Sequence, residues 1–334
     1  MGRRERRHWA QVNVQGWWLD GDRTSVEPMA SRIPAADVQA LRQFVGQSPW
    51  AVEDVQRRLA RKVVDRLNKP DVWIVDETAC PIAGTHAVGV ARQYGGTLGK
   101  VASCQVAVRV HWRSAAARGP LNWRLSLPKA WIDDPHRAAH AQLLPGTPYR
   151  SRTDLALELM DQVLTWKVPA LPLVADSFYG MDFGGRQALR QRRLAYVVEV
   201  EPSPGVWTED PNLLLPPPQK SGRPRQYPPL EALPRLRNLQ TVAKELPASA
   251  WQHVTWRQGR RGPQRSRFGV IHVWAAHGWR AQQHPPRVAE WLLVEWPLDA
   301  LEPVKYGLAY FASQPPEVRR LVRLANARWR IEIV

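Results

Sequence analysis

The residues best suited to chemistry in this sequence are two aspartates, each of which follows a short apolar run. Asp76 comes after residues 72–75, and Asp176 comes after residues 172–175. Both runs have the length and composition of buried strands, and ligands of α/β sheets collect beyond the carboxyl ends of the strands. Two carboxylates placed there repel each other unless a cation lies between them. Because hard divalent ions prefer oxygen ligands, the pattern predicts a site for Mg²⁺ or Mn²⁺.

A two-metal site for phosphoryl transfer needs a third carboxylate, and Glu332 is the leading candidate. Two such ions activate an attacking oxygen and stabilise the leaving one. A helix start at residues 313–317 precedes an apolar pattern with helical spacing, and this helix is expected to carry Arg328 toward Glu332. A lone aspartate at a strand end more often caps a loop, so the prediction depends on the ordered set of three carboxylates.

Hydrophobic periodicity indicates the elements that must position these carboxylates. Residues 1–70 have helical spacing, and an α/β core with the order β-β-β-α-β-α-β is expected over residues 71–201. Irregular, proline-rich chain follows, and short alternating runs predict a β-rich insertion over residues 202–290. Residues 291–334 return to two strands and the late helix. The sequence therefore predicts a mixed α/β core with an N-terminal helical region and an insertion before the last helix.

The same hydrophobic periodicity predicts individual strands and helices. Core strands are expected at residues 72–75, 101–112, 121–127, 172–175 and 196–198, and core helices at residues 151–164 and 185–194. In the N-terminal region, Asp37 is predicted to be the N-cap of one helix. Ser48 is predicted to be the N-cap of the next helix, with Pro49 in its first turn.

The charge of the chain favours a polyanionic partner. The 334 residues include 47 Lys and Arg against 30 Asp and Glu, for a formal net charge of +17. No apolar run approaches the ~18 residues of a membrane helix. The basic N-terminus lacks the apolar segment of a signal peptide, and two cysteines are too few for a disulfide framework. These features are expected of a cytoplasmic protein that binds nucleic acid, although a GC-rich genome would also produce an excess of arginine.

Much of the positive charge lies in the predicted insertion. Residues 203–289 contain 13 Lys or Arg and 4 Asp or Glu. Because guanidinium groups pair with phosphates in bidentate fashion, five clustered arginines are predicted to contact a DNA backbone: Arg257, Arg260, Arg261, Arg265 and Arg267. Trp256, Trp274 and Trp279 are candidates for stacking on an unpaired base, but packing within the insertion is the more common role of such residues.

Three blocks of residues occur in order along the chain. The first contains Asp76-Glu77-Thr78, Pro81, Gly84, His86, residues 88–94 and residues 97–100; the second contains residues 175–180; the third contains residues 327–332. Together they resemble the catalytic blocks of DDE-class insertion-sequence transposases, in which a β-rich insertion interrupts an RNase H-like core. The resemblance extends from about residue 20 to the last residue.

This resemblance implies an RNase H-like mixed sheet and a specific metal-binding triad. Asp76, Asp176 and Glu332 would bind two Mg²⁺ or Mn²⁺ ions and catalyse DNA cleavage and strand transfer. Arg328 precedes Glu332 by four residues, which is one helical turn, and would orient the glutamate or contact a DNA phosphate.

Further residues and partners are implied by the same resemblance. Glu77, His86 and Tyr179 would line the site, and Arg92 and Lys100 would contact DNA. The substrates would be double-stranded transposon ends with terminal inverted repeats, together with target DNA. The protein would act as a homodimer on DNA, without a membrane partner, in the bacterial cytoplasm near the nucleoid.

The sequence also departs from the pattern of these transposases. They carry an aspartate where this chain has Glu77, and they continue for several helices beyond the third block. The chain stops at Val334, two residues after Glu332, so strand transfer is expected to be impaired. Two alternatives stay open: a catalytically impaired DNA-binding remnant of a transposase, and an RNase H-like nuclease that acts on RNA or branched DNA.

Overall fold

The computed structural model divides the chain into two compact units, residues 1–56 and residues 57–334. It describes residues 4–21, 25–34, 36–49, 51–66, 70–114, 117–211, 234–259, 262–277, 287–312 and 317–328. The domain boundaries predicted from the sequence stay predictions. Glu332, Arg260, Arg261 and Trp279 lie outside the described residues.

Helices build the first unit, as the periodicity predicts. They are α1 (Arg4–Trp18), α2 (Val26–Ala30), α3 (Val38–Gln47) and the start of α4 (Val52–Arg66). Val12, Ala30 and Leu41 form the small core of this unit. Asp37 caps α3, because its side chain accepts a hydrogen bond from the backbone N–H of Ala40 at 2.7 Å.

The predicted start of α4 is wrong. Ser48 is the C-terminal cap of α3 and has extended backbone angles, with φ −65° and ψ 136°. Helix α4 begins only at Val52. The ring of Pro49 disfavours helical angles at Ser48, which accounts for the end of α3 at this residue.

Among its described residues, the second unit contains a sheet of twelve strands. The strands are β1 (Val72–Pro81), β2 (Ala91–Gly95), β3 (Lys100–Arg113), β4 (Arg118–Ser126), β5 (Leu173–Ala175), β6 (Tyr196–Val200), β7 (Gly205–Trp207), β8 (Arg237–Asn238), β9 (Trp251–Gly259), β10 (Gly262–Ala275), β11 (Glu290–Pro297) and β12 (Lys305–Tyr310). The helices are α5 (Lys129–Ile132), α6 (Pro135–His140), α7 (Arg152–Thr165), α8 (Ser177–Gly180), α9 (Phe183–Gln191), α10 (Leu239–Lys244) and α11 (Val318–Ala325).

The strand order is β2-β3-β1-β5-β6-β12-β11-β10-β7-β8, with β4 beside β3 and β9 beside β10. Strands β1, β5 and β6 are parallel to one another, and the other pairs are antiparallel. The predicted insertion is β-rich among its described residues and continues the core sheet, because β10 pairs with β11 and β11 pairs with β12. Strand β2 was not expected from the sequence.

The first strand is longer than its apolar run suggests. We expected it to end at Asp76, but β1 continues to Pro81 because every residue from Val72 to Pro81 has an antiparallel partner in β3. The parallel partner β5 ends sooner, at Ala175. Asp76 therefore lies within β1, close to where its parallel neighbour stops.

Helices cover the two faces of this sheet. On one face, Trp73 and Val75 of β1 pack with Leu159 and Val163 of α7. Helix α7 begins with a capping box between Ser151 and Asp154, as its sequence predicts. On the other face, apolar residues of β1, β5 and β6 pack with α11 and the turn after it: Val72, Ile74, Val174, Val197, Leu321, Val322, Leu324 and Ala327.

Candidate active site

The two predicted aspartates lie side by side at the sheet. Ile74 of β1 is in register with Val174 of β5, and each aspartate follows its own strand residue by two positions. Neighbouring strands are about 4.8 Å apart, so the fold brings Asp76 and Asp176 to the same level of adjacent strands. The sequence prediction that these residues lie close together is thus reproduced by the register.

Asp76 lies in an environment that disfavours its charge. Burial raises the pKa of its carboxyl group; the backbone N–H of Glu77 and the Arg109 and Arg328 guanidiniums act in the opposite direction, and Asp176 adds to the rise. Arg109, opposite Asp76 in β3, places a guanidinium nitrogen 3.6 Å from Oδ2. Burial and carboxylate repulsion together favour a cation at this position.

Asp176 combines two roles. Its Oδ1 accepts a hydrogen bond from the backbone N–H of Tyr179 at 3.4 Å, so it caps the short helix α8. Its Oδ2 lies 4.0 Å from a guanidinium nitrogen of Arg328. The capping role that sequence reasoning assigned to lone aspartates is therefore real here, and it leaves the second carboxylate oxygen facing a cationic group.

Glu77 belongs to a separate network. Successive residues of a strand point to opposite faces, so Glu77 shares the face of Trp73 and Val75, whereas Asp76 shares the face of Ile74. Glu77 accepts a hydrogen bond from Arg152 at 2.7 Å and another from the Tyr179 hydroxyl at 3.2 Å. Burial raises the pKa of Glu77, while Arg152 and Tyr179 oppose the rise.

Tyr179 connects β1, which contains Asp76, with the end of β5, which Asp176 follows. Its N–H donates to Asp176, and its hydroxyl donates to Glu77, the residue next to Asp76. Burial, followed by the charges of Glu77 and Asp176, raises the pKa of Tyr179 well above its ordinary value, so the phenol stays protonated and acts as a donor. That Tyr179 and Glu77 line the site stays a prediction, because the Tyr179 hydroxyl meets Glu77 on the face of β1 opposite to Asp76. Arg152 was not found from the sequence, because no motif marks it.

The next residue of the motif, Gly180, explains why α8 sits where it does. A Cβ atom at this position would overlap the carbonyl oxygen of Glu199 in β6. Only glycine allows such a close approach between the helix and the strand. The carbonyl oxygen of Gly180 also accepts a hydrogen bond from Arg186. Gly180 thereby holds α8, and with it the capping residue Asp176, against β6.

Glu199 is a third carboxylate at this level of the sheet, and sequence reasoning missed it. Val174 is in register with Val197 of β6, so Glu199 stands two positions beyond Val197, as Asp176 does beyond Val174. Arg328 places a guanidinium nitrogen 3.4 Å from Glu199 Oε2. An acidic residue in a strand whose neighbours are unknown carries no signal in a single sequence.

Arg328 reaches the site, although not along the expected helix. Helix α11 ends at Ala325 with Asn326 as its C-terminal cap, and Arg328 follows the turn formed by Asn326 and Ala327. The prediction of one continuous helix through Arg328 is therefore wrong. Arg113 donates a hydrogen bond to the carbonyl oxygen of Ala327 and holds this turn against β3.

The remaining predicted DNA contacts lie at several places on the surface. Arg92 on β2, Lys100 at the start of β3 and Arg265 on β10 are exposed. Arg267 is half-buried, with its guanidinium 4.7 Å from the ring centre of Trp296. Arg257 lines a cavity described below.

His86 and the tryptophans complete the predicted residues. His86 is exposed, and its carbonyl oxygen lies 3.1 Å from Nε2 of His140. Trp256 packs against the core cluster of α11, and its Nε1 donates to the Ser266 hydroxyl at 3.4 Å. Trp274 pairs with Trp207 of β7. The packing role of tryptophan thus accounts for Trp256, in agreement with the more common expectation.

The donor set agrees with a hard divalent ion but is only partly described. Within the described ranges, no group of three or more His, Cys, Asp or Glu side chains has the arrangement of a metal site. Asp76 and Asp176 supply carboxylate oxygens, which Mg²⁺ and Mn²⁺ prefer. The third predicted ligand, Glu332, lies outside the described residues. In the part of the chain that the structure describes, no helix is both long and apolar enough to cross a membrane.

Comparison with known proteins identifies the class to which this fold and site belong. The family model of the DDE superfamily endonucleases matches residues 1–263, so the chain belongs to this family. Its members generally use divalent metal ions. The predicted fold, a mixed α/β sheet of the RNase H-like type, is confirmed.

A more particular similarity concerns one curated relative. The chain is 26% identical over 162 residues to the probable transposase for insertion sequence element IS701 from Microchaete diplosiphon. The aligned segment covers 48% of this chain and 40% of that relative.

Proposed function

We propose that this protein is a DNA transposase that cleaves transposon ends and joins them to target DNA with the help of divalent metal ions. The observation that carries the proposal is the placement of Asp76 and Asp176 at one level of neighbouring parallel strands, in an environment that favours a cation. Membership of the DDE endonuclease family and the similarity to an insertion-sequence transposase support the same reaction class.

Asp76 and Asp176 would hold the ions, with Glu332 as the third ligand that the sequence suggests. Mg²⁺ or Mn²⁺ bound by carboxylates supplies charge stabilisation to the attacking and leaving oxygens of a phosphodiester. Arg109 offsets the charge of Asp76. Arg328, held between Asp176 and Glu199, presents a guanidinium to which a DNA phosphate can bind in bidentate fashion.

Two hydrogen bonds from Tyr179 would keep the carboxylates in place during the reaction. The backbone bond fixes the cap at Asp176, and the hydroxyl bond restrains β1 at Glu77. A positioned site of this kind lowers the barrier because its groups need no rearrangement in the transition state. The five arginines from Arg257 to Arg267, together with Arg92 and Lys100, would contribute DNA contacts, and paired ends would require a homodimer on DNA.

A cleavage assay tests the proposal directly. The substrate is duplex DNA carrying the sequences that flank the gene, incubated with Mg²⁺ or Mn²⁺ and with excess chelator as the blank. Asp76→Asn and Asp176→Asn should bind this DNA and lose cleavage. Asp133→Asn is the matched control, because Asp133 is an exposed aspartate in the loop before α6. Cleavage by the wild-type protein should be accompanied by a Mn²⁺-dependent rise in melting temperature that both site variants lack.

The proposal fails if the Asp76 or Asp176 variant cleaves as well as the wild-type protein, or if cleavage persists in chelator. DNA binding by the wild-type protein without metal-dependent nicking would instead identify a DNA-binding protein that lacks nuclease activity. The proposed homodimer is tested separately, by the mass of the protein–DNA complex in solution.

A further inference from the structure

Helix α11 has a basic surface that the candidate active site does not use. Leu321, Val322 and Leu324 are buried against the sheet. The opposite side of the helix exposes three arginines, at positions i, i+1 and i+4: Arg319, Arg320 and Arg323. None of the motifs recognised in the sequence includes these three residues.

This basic surface forms one wall of an open groove. The groove has a volume of about 670 Å³, and its second wall is the segment of β9 from His253 to Trp256. Among the described strands, β9 pairs only with β10, so it is an edge strand. We call this space the α11–β9 groove.

The α11–β9 groove has an excess of positive charge. Its three arginines outnumber Glu317, the acidic residue among those that line it. Within the described ranges, Arg319 and Arg320 have no carboxylate within ion-pair distance. Arg323 has a carboxylate oxygen of Asp71 at 3.9 Å, but its side chain is 67% exposed. Exposed arginines of this kind stay charged and available to a polyanion.

A second cavity extends the same surface. Its volume is about 190 Å³; Trp256 and Arg323 line it together with Arg257 and Arg113, and Asp71 is the acidic residue there. Trp256 has no partner in the register of β9 with β10, where Thr255 faces Arg265 and Arg257 faces Gln264. Such a bulge turns a side chain away from the regular alternation. The bulge thereby helps to shape the wall that the two cavities share.

The α11–β9 groove is on the same side of the sheet as the candidate metal site. Helix α11 packs on the face that contains Ile74 and Val174, and strand alternation places Asp76 on that face as well. Three residues after the end of α11, Arg328 reaches Asp176. The three arginines of α11 span about 6 Å along the helix, which matches the spacing of two to three successive phosphates of one DNA strand.

We propose that the α11–β9 groove binds the sugar-phosphate backbone of duplex DNA next to the cleavage site, through Arg319, Arg320 and Arg323. This inference rests on the proposed function for the presence of DNA. It adds a contact surface made by the arginines of α11 beside Arg257 of β9. The contact is independent of base sequence, because backbone phosphates carry the charge that these residues meet.

The salt dependence of DNA binding measures this contact. Each phosphate neutralised on a duplex contributes about 0.9 to the slope of log K against log salt concentration. The triple variant Arg319→Gln, Arg320→Gln, Arg323→Gln should therefore reduce the slope by about 2 to 3. It should do so on a duplex of the flanking sequence and on an unrelated duplex alike.

Two controls separate the contact from a general loss of charge or of folding. The triple variant with lysine at the same positions keeps the charge and should keep most of the slope. Arg193→Gln removes one exposed arginine from the turn after α9 and should leave the slope unchanged. All variants should have the wild-type melting temperature, because the three arginines of α11 are exposed.

The proposal is overturned if the glutamine triple variant retains the wild-type slope, in which case the groove serves another occupant such as an acidic protein segment. It is also overturned if the lysine variant loses as much slope as the glutamine variant. If the glutamine variant shows the expected reduction in slope and the wild-type protein binds DNA without cleaving it, the proposed nuclease function fails and the groove proposal stands.

Discussion

Replacing Tyr179 by phenylalanine tests whether the hydrogen bond from its hydroxyl to Glu77 holds the two aspartate strands together. The ring would keep its place, because it is 7% exposed and packs edge-on against Phe178 with ring centres 5.1 Å apart. The backbone bond to Asp176 would also remain. The change therefore removes one donor and leaves the surrounding packing intact.

The magnitude follows from the geometry of this bond. A hydrogen bond to a charged group contributes about 1.5–3 kcal/mol to stability. The O–O distance of 3.2 Å is long for a hydroxyl donor, for which about 2.7–2.8 Å is usual, and Glu77 keeps its bond to Arg152. We therefore expect a loss of about 1.5 kcal/mol in the free energy of unfolding. If all of it serves to position the aspartates, DNA cleavage slows by about tenfold.

The assay measures the free energy of unfolding in urea for the wild-type protein and the three variants of a double-mutant cycle. Tyr179→Phe, Glu77→Ala and the double variant should show a coupling energy of about 1 kcal/mol, because residues in direct contact are not additive. Tyr94→Phe is the control, since Tyr94 is 57% exposed, and its stability should change by less than about 0.5 kcal/mol. Additive effects within about 0.3 kcal/mol would show that the bond does not couple the two strands, and the positioning argument would be refuted.

Three further changes should have large and distinct effects. Gly180→Ala should destabilise the protein by at least ~1–3 kcal/mol and abolish cleavage, because the new Cβ overlaps β6 and displaces α8. Glu290→Gln should cost about 3–5 kcal/mol, because it leaves Arg186, whose Nε lies 2.8 Å from Glu290 and whose side chain is 5% exposed, without its buried counter-ion. Burial, reinforced by two arginines, lowers the pKa of His111 from 6.5 to about 4. Its contribution is therefore present above pH 6.5 and is lost as the pH falls toward 4, by about 2 kcal/mol at pH 5.

Each of these changes has its own measurement. Chemical denaturation compares Gly180→Ala with Gly96→Ala, where no atom lies within 4 Å of the new Cβ, and equal stabilities would contradict the overlap. For the buried pair, a Glu290→Gln variant as stable as the wild-type protein would show that Arg186 does not need its partner. For the histidine, the stability difference between wild-type and His111→Asn should vary between pH 7 and pH 5, and a constant difference would show that His111 does not titrate in that range.

Local patterns were sufficient for most elements of the core. The capping box at Ser151 and the alternation before Trp112 depend on neighbours within a few residues, so α7 and β3 could be predicted from sequence. The end of α11 was predicted wrongly, because the helical spacing of its residues continues beyond Ala325. The start of α4 was predicted wrongly, because Ser48 and Pro49 resemble an N-cap and a first turn but belong to the end of α3 and the residue after it. Strand β2 lacks a strong apolar period and forms through its pairing with β3.

The residues of the candidate site also fall into those that the sequence indicates and those that only the structure reveals. Asp76, Asp176 and Tyr179 belong to blocks that can be read along the chain, and the aspartates are predicted to lie close together if their two strands are neighbours, as β1 and β5 are. Arg109, Arg152 and Glu199 could not be found, because each comes from an element whose register or packing is not written in its own sequence.

The sequence by itself determined the class of the protein, the proposal of Asp76 and Asp176 as site carboxylates and the excess of positive charge in one segment. These are properties of residue type and spacing. Only the tertiary structure decided which face of the sheet each carboxylate occupies and which guanidinium it meets. The physical reason is that a strand alternates its side chains with a period of two, so Asp76 and Glu77 separate to opposite faces once β1 pairs with β3 and β5.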